Sequence, residues 1–562
     1  MNNETLTLKI HKYKEDGFEY QKRRHEDWKE NYQLYRDKVV INRLIQRQSV
    51  NIPLMKETIR TWLSNIDDAP DLVFEELGND KQKEINLNEY WKYCAEKNKL
   101  EIKDIVDKKQ VGLCGRSFKK LNIVDGEFYF EVLDPQDVLI DRYADPSDLD
   151  NTAMCIIHQH IFRSISDLEN NPNYDKEVIQ RLKLYYTTDK EGIRKSEENA
   201  QSLRDKNERL REMGDTNVDD PQVGEAYVEL NENYVKLWDE NEKKFVLNLT
   251  VTCNQEVLMS KPFKEVLNVD FFPILSWADD VEKTDIWSDG IADTIRTPNK
   301  ILNSWFSQLV ENRNLRNFGM NYYNSLMEGF SPQTFEPTPW GWVPIPGNPN
   351  ENIMRIEIPE LSESLDEMQF VIDMAGRSTA ATNQLKGEQT KGDITLGEIQ
   401  LITSKAMERI TSTAKFYRNS WKEFGQKWAE LVHANADKLN SVKLYKKSFK
   451  NNYFEKQVSS SDWKSEAGYR CIVRTSAEQE QESAQTLQKF NAVMAQFPDN
   501  QPLREIYQKK LLDFIGLSPE EVQEVVQFDK QKIGLNNELM PGMGAINMPA
   551  MANASPVPAP MQ

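Results

Sequence analysis

Six aspartates lie within residues 134–150, in the sequence DPQDVLIDRYADPSDLD. Clustered carboxylates can hold Mg²⁺ or Ca²⁺, as a metal-dependent nuclease requires. The spacing of a calcium loop, with its central glycine, is absent. Because Asp-Pro at 134–135 and 145–146 is ordinary turn chemistry, we expect these carboxylates to form turns and helix caps. A nuclease remains an alternative, in which cleavage of DNA depends on Mg²⁺ and on Asp137 and Asp141.

A second candidate is Gly387-Glu-Gln-Thr-Lys-Gly392, which has the glycine spacing of a phosphate-binding loop. The next two residues of such a loop are Lys and Ser or Thr, whereas here they are Asp393 and Ile394. An aspartate at that position repels phosphate, so we expect a flexible glycine loop. On local sequence alone, its charges are typical of an exposed connector between helices.

The pair His158 and His160 would share one face of a strand. Two imidazoles without a cysteine or an acidic ligand at the right spacing do not make a zinc site. The motifs of α/β-hydrolases, zinc proteases and kinases are also missing from the sequence. We therefore expect neither an enzyme nor a cofactor.

The composition narrows the function classes further. The chain has 562 residues and a mass of 65.5 kDa, enough for several domains. Its 71 basic and 90 acidic side chains give a net charge of −19, which counts against a general DNA-binding surface and against binding to anionic membranes. No apolar run reaches the length of a membrane span and no secretory signal opens the sequence. Five scattered cysteines without a CxxC pair indicate buried thiols and assembly in a reducing compartment.

Apolar spacing predicts the elements of the first 290 residues. Helices are expected at 12–38, 52–66 and 83–113, and strands at 118–124, 127–132, 153–162, 226–238, 244–251 and 255–259. Asp125-Gly126, between the first two strands, is typical of a type I′ hairpin turn. Residues 187–222 have few apolar side chains and many charge pairs, so we expect a solvated helix or a mobile insertion there.

From residue 290 the pattern is helical, with a proline-rich interruption. The first helix is expected to have Thr297 as its N-cap and Pro298 in its first turn, and to end near residue 316. Residues 318–359 carry prolines and aromatics with little helical period, which predicts a small strand-and-loop module. A second helix is expected at 361–383.

The strongest local signal is a helix of about 41 residues at 395–435. Thr395 to Glu398 fits a capping box, and apolar side chains then recur at intervals of three and four. Gly425 is a candidate for a bend in this helix. Strands are expected at 441–449 and 469–474, and helices at 476–496 and 501–515. The uncharged Met- and Pro-rich tail that follows is expected to be mobile.

The order of helix, proline-rich insert, helix, polar loop and very long helix resembles the core of tailed-bacteriophage portal proteins. The sequences HEDWKENYQLYRDK and VNIPLMKETIRTWLSNIDDAPDLVFE look like the start of a portal wing. EVLDPQDVLIDRYADPSDLD resembles the turn-rich wing motif, and GIADTIRTPNKILNSWFSQLVENRN is similar to the stem entrance. The resemblance covers roughly residues 12–515.

The resemblance implies an α+β portal fold that forms a dodecameric ring at the unique vertex of the capsid. The implied parts are the wing at 1–290 with its charged insertion at 187–222, the stem helices at 291–316 and 361–385, the clip at 317–360, the tunnel loop at 386–394, the long helix and return to the wing at 395–475, the crown at 476–533 and a disordered tail at 534–562.

The resemblance also implies site residues and partners. Lys386, Glu388, Lys391 and Asp393 would face DNA in the tunnel loop, and Tyr322, Tyr323, Trp340 and Trp342 would form the clip interface. The implied partners are further copies of the chain in a ring of about twelve, the major capsid protein, the large terminase subunit, tail adaptor proteins and double-stranded DNA in the channel. The implied place is the virion, after assembly in the bacterial cytoplasm, with no membrane and no cofactor involved.

A helical scaffold protein inside the cell is the other alternative, with the long helix acting as a coiled coil. The apolar face of that helix mixes Trp, Tyr, Phe and Ala. A coiled coil repeats Leu and Ile at its a and d positions. The composition of the face therefore counts against this alternative.

Overall fold

The computed structural model describes the chain in separate ranges between residues 3 and 474. These are 3–38, 50–66, 71–78, 80–187, 207–213, 227–240, 242–253, 256–317, 321–323, 353–355, 357–361, 364–379, 396–447 and 453–474, together with residues 326, 348 and 351.

Nine helices of eleven residues or more lie within these ranges. They are α1 (Asn3–Lys22), α2 (His25–Tyr35), α3 (Leu54–Asn65), α4 (Lys81–Lys97), α5 (Leu100–Cys114), α6 (Lys176–Thr187), α7 (Ile291–Asn317), α8 (Ser364–Ser378) and α9 (Leu396–Ala434). Shorter helices lie at Leu149–Thr152, Ile165–Asn170, Phe263–Leu267 and Ser460–Trp463. None of the described helices is both long enough and apolar enough to cross a membrane.

The described strands form five antiparallel sheets. The strands are β1 (Asp71–Glu76), β2 (Arg116–Val124), β3 (Glu127–Leu133), β4 (Val138–Ile140), β5 (Cys155–Ser164), β6 (Tyr227–Asp239), β7 (Lys244–Cys253), β8 (Glu256–Pro262), β9 (Ile274–Ala278), β10 (Asn321–Tyr323), β11 (Ile353–Arg355), β12 (Val442–Lys447), β13 (Tyr453–Val458) and β14 (Tyr469–Arg474). Their orders are β4-β5-β6-β7-β8, β3-β2-β9, β1-β14, β10-β11 and β12-β13. Helices together with antiparallel sheets confirm the α+β class.

The strand predictions are confirmed, including the turn between β2 and β3. Asp125 and Gly126 both have positive φ, 51° and 76°, as a type I′ turn requires. Val124 and Glu127 are paired across it. Local sequence is sufficient here because the turn residues fix the register of the hairpin.

Two predicted helices are wrong in their bounds, because each is divided in two. The predicted helix at 12–38 is α1 and α2, which meet at Arg23 and Arg24. Each of these arginines forms an ion pair with a carboxylate of residues 285–293. The helix at 83–113 is α4 and α5, with Lys99 at a φ of 53° between them. At Arg23 and Arg24, partners that are distant in the sequence therefore hold the point where the chain turns.

The first helix after residue 290 begins earlier than predicted. α7 starts at Ile291, so Pro298 lies inside the helix and Thr297 is not its N-cap. The Gly290 N–H donates to Asp293 Oδ2 at 2.8 Å, which satisfies a donor at the helix start. Pro298 lacks the N–H that would bind the Thr294 carbonyl.

Aromatic side chains of α9 form the centre of the main core. Trp421, Phe424 and Trp428 are completely buried. The ring of Trp428 lies 4.9 Å from that of Trp91, and the ring of Phe424 lies 5.3 Å from that of Phe130. The mixed aromatic face of α9 is therefore directed into the core of its own chain.

A buried network of charges fixes α9 to α5 and β2. Lys119 Nζ lies 3.0 Å from Asp107 Oδ2 and donates to Ser420 Oγ at 3.0 Å. Lys108 Nζ lies 2.7 Å from Asp104 Oδ2, and the Tyr417 hydroxyl donates to Asp104 Oδ1 at 2.6 Å. Burial raises the pKa of the Asp104 carboxyl, even though Lys108 and Tyr417 act to lower it.

A second compact unit comprises residues 442–458 and 476–562. The structure describes its strands β12 and β13, which pair with each other. The predicted helices at 476–496 and 501–515, the predicted crown at 476–533 and the predicted tail at 534–562 lie outside the described residues.

Gly425 is a point of close packing, and α9 continues through it without interruption. A Cβ at this position would overlap Cys471 Sγ and lie 3.2 Å from Leu72 Cδ1. The absence of a side chain allows α9 to lie directly on β14.

The substitution Gly425→Ala is expected to destabilise the fold by about 1–3 kcal/mol, because it overfills a packed contact. Cys471→Ala removes the overlapping sulfur, so the double variant should recover part of this loss. Thermal unfolding of the wild type, both single variants and the double variant at one protein concentration measures the effect. An unchanged melting temperature for Gly425→Ala would show that α9 and β14 do not touch there.

Candidate functional site

The two helices that flank the proline-rich segment pack against each other. Asn312 Nδ2 donates to the Pro359 carbonyl at 3.1 Å, and Arg316 Nη1 lies 3.1 Å from Glu360 Oε1. Strands β10 and β11 are paired antiparallel between the helices. We call the described part of residues 291–378 the helical hairpin.

The first turn of α7 is held by a charged cluster. Asp293, whose side chain is 6% exposed, accepts hydrogen bonds from Arg24 Nη2 at 2.6 Å and Arg296 Nη1 at 2.8 Å. Burial alone lowers the pKa of the Arg24 guanidinium, but the carboxylates of Asp293, Asp289 and Asp27 raise it above its ordinary value. Burying these charges costs free energy, which their mutual attraction offsets only while the partners remain in contact. The cluster therefore holds the first turn of α7 in place.

Three polar side chains spaced four residues apart on α7 bind the segment 50–55. Asn299, Asn303 and Ser307 accept hydrogen bonds from the backbone N–H groups of Met55 at 2.8 Å, Ile52 at 2.8 Å and Val50 at 3.1 Å, respectively. Met55 lies in the first turn of α3, where Pro53 provides no side-chain cap. Asn299 therefore satisfies a donor that α3 leaves unpaired.

The outer part of the helical hairpin carries exposed apolar side chains. On α8, Met368, Val371 and Ala375 are buried, whereas Phe370 is 66% exposed and Met374 49%. Among the described residues of the hairpin, the exposed large apolar side chains are Ile301, Leu315, Tyr323, Leu326, Met354, Leu361, Leu365, Phe370 and Met374. Such a concentration of exposed apolar residues on one substructure is typical of a protein–protein contact.

A protein-family model described as the phage SU10 portal protein matches residues 55–512. The chain belongs to this family of phage portal proteins. The matched span includes the helical hairpin and α9. A search of curated proteins finds no match. Portal proteins are structural components of the phage capsid, so the family assigns this chain a structural role.

The residues that the sequence analysis assigned to the portal clip and tunnel loop are only partly described. Tyr322 and Tyr323 lie in β10 opposite Met354 and Ile353, and Tyr323 is 46% exposed. Six others lie outside the described residues, namely Trp340, Trp342, Lys386, Glu388, Lys391 and Asp393. The roles of these residues remain predictions.

Four of the six aspartates of residues 134–150 form turns and caps as predicted, namely Asp134, Asp141, Asp145 and Asp148. Asp137 instead pairs with Arg209, and Asp150 pairs with Lys427. Asp134 accepts a hydrogen bond from the Gln136 N–H at 3.0 Å, and Asp145 accepts one from the Ser147 N–H at 2.9 Å. Asp148 caps the short helix that follows it. Within the described part of the portal protein, no group of three or more Asp, Glu, His or Cys side chains is arranged to hold a metal ion.

The charged insertion at 187–222 is described only at 207–213, which packs on the rest of its unit. Arg209 Nη2 donates to Asp137 Oδ1 at 3.1 Å, and Glu212 Oε1 lies 2.9 Å from Lys29 Nζ. Met213 is 3% exposed. Residues 207–212 are helical with Glu208, Arg211 and Glu212 exposed, in keeping with the expected solvated helix, and these contacts anchor the helix to the rest of its unit.

His158 and His160 border a polar cavity of about 450 Å³. His160 has a φ of 58° at an irregularity of β5, and its Nδ1 lies 2.8 Å from Asp137 Oδ1. Burial raises the pKa of Glu232 in the same cavity, but Lys120 and His158 together bring it down to about 2. The cavity is thus lined by paired charges.

Sequence reasoning missed the residues that hold the root of the helical hairpin. Asn299, Asn303 and Ser307 repeat at intervals of four, which is a visible polar stripe on a helix. Their partners are backbone groups about 250 residues earlier in the chain. Local patterns indicate such a stripe but not what it binds.

The substitution Asn299→Ala is expected to destabilise the protein by about 1–3 kcal/mol, because it leaves the buried Met55 N–H without an acceptor. Gln308→Ala on the exposed side of the same helix is the matched control and should change stability by less than about 0.5 kcal/mol. Denaturant unfolding of the two variants measures the difference. Equal stability would contradict the anchoring role of Asn299.

Proposed function

We propose that this chain forms a dodecameric ring at the unique vertex of a phage capsid. The ring acts as a conduit for DNA during packaging and ejection, and as the docking site for the large terminase subunit and tail adaptor proteins. The observation that carries this proposal is the exposed apolar surface of the helical hairpin, in a chain that belongs to a portal family.

The apolar surface supports assembly because it is extensive and includes Leu365, Phe370 and Met374 of α8. Burying a large apolar side chain stabilises a contact by about 1.5–3 kcal/mol. A ring places equivalent hairpins side by side, so that each covers the exposed Phe370 and Met374 of a neighbour. Such a contact is heterologous, and it closes only at a fixed number of copies.

The root of the hairpin supports a rigid attachment within the same unit. Asp293 binds Arg24, which lies between α1 and α2, and Asn31 of α2, whereas Asn299 binds Met55 of α3. A rigid root gives every copy the same hairpin direction, which a closed ring requires. It also transmits force between the hairpin and the rest of the unit when DNA moves.

We assign the portal parts as follows: wing 1–290, stem helices 291–316 and 361–385, clip 317–360, tunnel loop 386–394, long helix and return to the wing 395–475, crown 476–533 and tail 534–562. In this assignment Lys386, Glu388, Lys391 and Asp393 face the DNA. The clip interface includes Tyr322, Tyr323, Trp340 and Trp342, and the wing contacts the major capsid protein. The ring assembles in the bacterial cytoplasm and becomes part of the virion.

The net negative charge of the chain favours a channel through which DNA slides rather than one that binds DNA tightly. Twelve copies at −19 carry about −228 before counterions screen the charge. Duplex DNA carries one negative charge for about every 1.7 Å of its axis. Repulsion between the two lets DNA slide, whereas a basic lining would hold it by counterion release.

The variant Phe370→Ser/Met374→Ser is expected to raise the concentration needed for ring formation about tenfold or more, because it removes apolar contact area between copies. Mass photometry over a dilution series measures the populations of rings and smaller species. The control Gln369→Ser/Asp373→Ser shortens two polar side chains of the same helix and should assemble as the wild type does.

Two outcomes would contradict the proposal in different ways. A wild-type chain that stays monomeric at every concentration would exclude the ring itself. A wild-type ring that is unaffected by Phe370→Ser/Met374→Ser would exclude the outer side of α8 as the contact between copies.

A further inference from the structure

A basic groove lies between α9 and β14. The groove encloses about 370 Å³ and is lined by Lys415, Arg418 and Lys422 of α9 and by Arg470 of β14. No carboxylate is among the residues that line it. Its strand side includes the half-buried Ile472 and Val473, so the groove combines positive charge with an apolar floor.

The cations of this groove are unusual in an acidic protein. In the described part of the chain, Lys415, Lys422 and Arg470 form no ion pair, although acidic side chains outnumber basic ones by 90 to 71 in the sequence. Like charges placed close together repel each other unless an anionic partner covers them. A partner for this groove should therefore carry carboxylates and an apolar side chain.

The tip of the β6–β7 hairpin has these two properties. Trp238 and Phe245 face each other across the strands with ring centroids 5.3 Å apart, and they are 54% and 51% exposed. The carboxylates of Asp239 and Glu240 follow Trp238, whereas Glu242 Oε2 lies 2.6 Å from Lys244 Nζ of the same turn. Exposed tryptophan is costly in a monomer and is enriched among the residues that anchor protein interfaces.

We propose that the tip of the β6–β7 hairpin of one copy docks in the α9–β14 groove of the next copy. This inference rests on the proposed ring, and it names a second contact between neighbouring copies. Each chain presents one tip and one groove, so the contact is heterologous and repeats around a ring. The aromatic pair contacts Ile472 and Val473, and the carboxylates approach Lys415 and Lys422.

Charge reversal and its repair test this contact. Lys415→Glu/Lys422→Glu reverses the groove, and Asp239→Lys/Glu240→Lys reverses the tip. Each double variant is expected to raise the concentration for half-maximal ring formation at least tenfold in mass photometry. The fourfold variant that combines them should return to within about threefold of the wild type. Lys92→Glu/Lys264→Glu, which makes the same charge change at exposed sites elsewhere, should assemble as the wild type does.

Disulfide trapping gives an independent measurement. All five native cysteines are buried, and burial raises the pKa of Cys94 and Cys471 to about 12. Because Cys471 also lines the groove, both trapping pairs are made in a Cys471→Ala chain. The pair Glu240→Cys/Lys422→Cys is expected to give a ladder of covalent oligomers after oxidation. Glu240→Cys paired with Lys92→Cys should give none.

The outcomes separate this contact from the ring itself. A wild-type chain without rings would overturn the proposed function. Wild-type rings with reversals that have no effect, or that are not repaired in combination, would overturn the docking contact alone. If the groove reversal leaves assembly intact but abolishes binding of a fluorescent duplex oligonucleotide, the groove serves nucleic acid and the docking contact is wrong.

Discussion

The ion pair between Lys119 and Asp107 is the interaction on which the arrangement of this protein depends. Both side chains are completely buried, and Trp277 Nε1 also donates to Asp107 Oδ2 at 2.7 Å. Losing one partner of such a pair typically costs about 3–5 kcal/mol, because the other charge is left buried and unpaired. Since Lys119 also binds Ser420 and lies 4.1 Å from the ring of Trp421, the pair fixes both the position and the rotation of α9.

The large apolar side chains of this protein have two different environments. Trp421, Phe424 and Trp428 of α9 are buried within their own unit, where they meet aromatic residues from β1, β3 and α4. Phe370 and Met374 of the helical hairpin are left exposed. The hairpin therefore keeps exposed apolar area that the proposed ring would cover.

The structural features that the sequence predicted correctly are those that neighbouring residues determine. Asp125 and Gly126 fixed a turn because their backbone conformations are specific to it, and the long apolar repeat predicted α9 to within a residue or two at each end. The start of α7 and the anchoring by Asn299 depend on partners elsewhere in the chain. Lys119 and Ser420, which are 301 residues apart, show why: no local window contains both. Trp340, Trp342 and the tunnel-loop residues stay predictions.

Single-particle cryo-electron microscopy of the purified chain decides whether it forms the proposed ring. We expect end-on views of closed rings of about twelve copies with an open centre, and helical hairpins packed side by side around the channel. Uniform monomers, or closed rings in which the hairpins do not touch one another, would contradict the proposal.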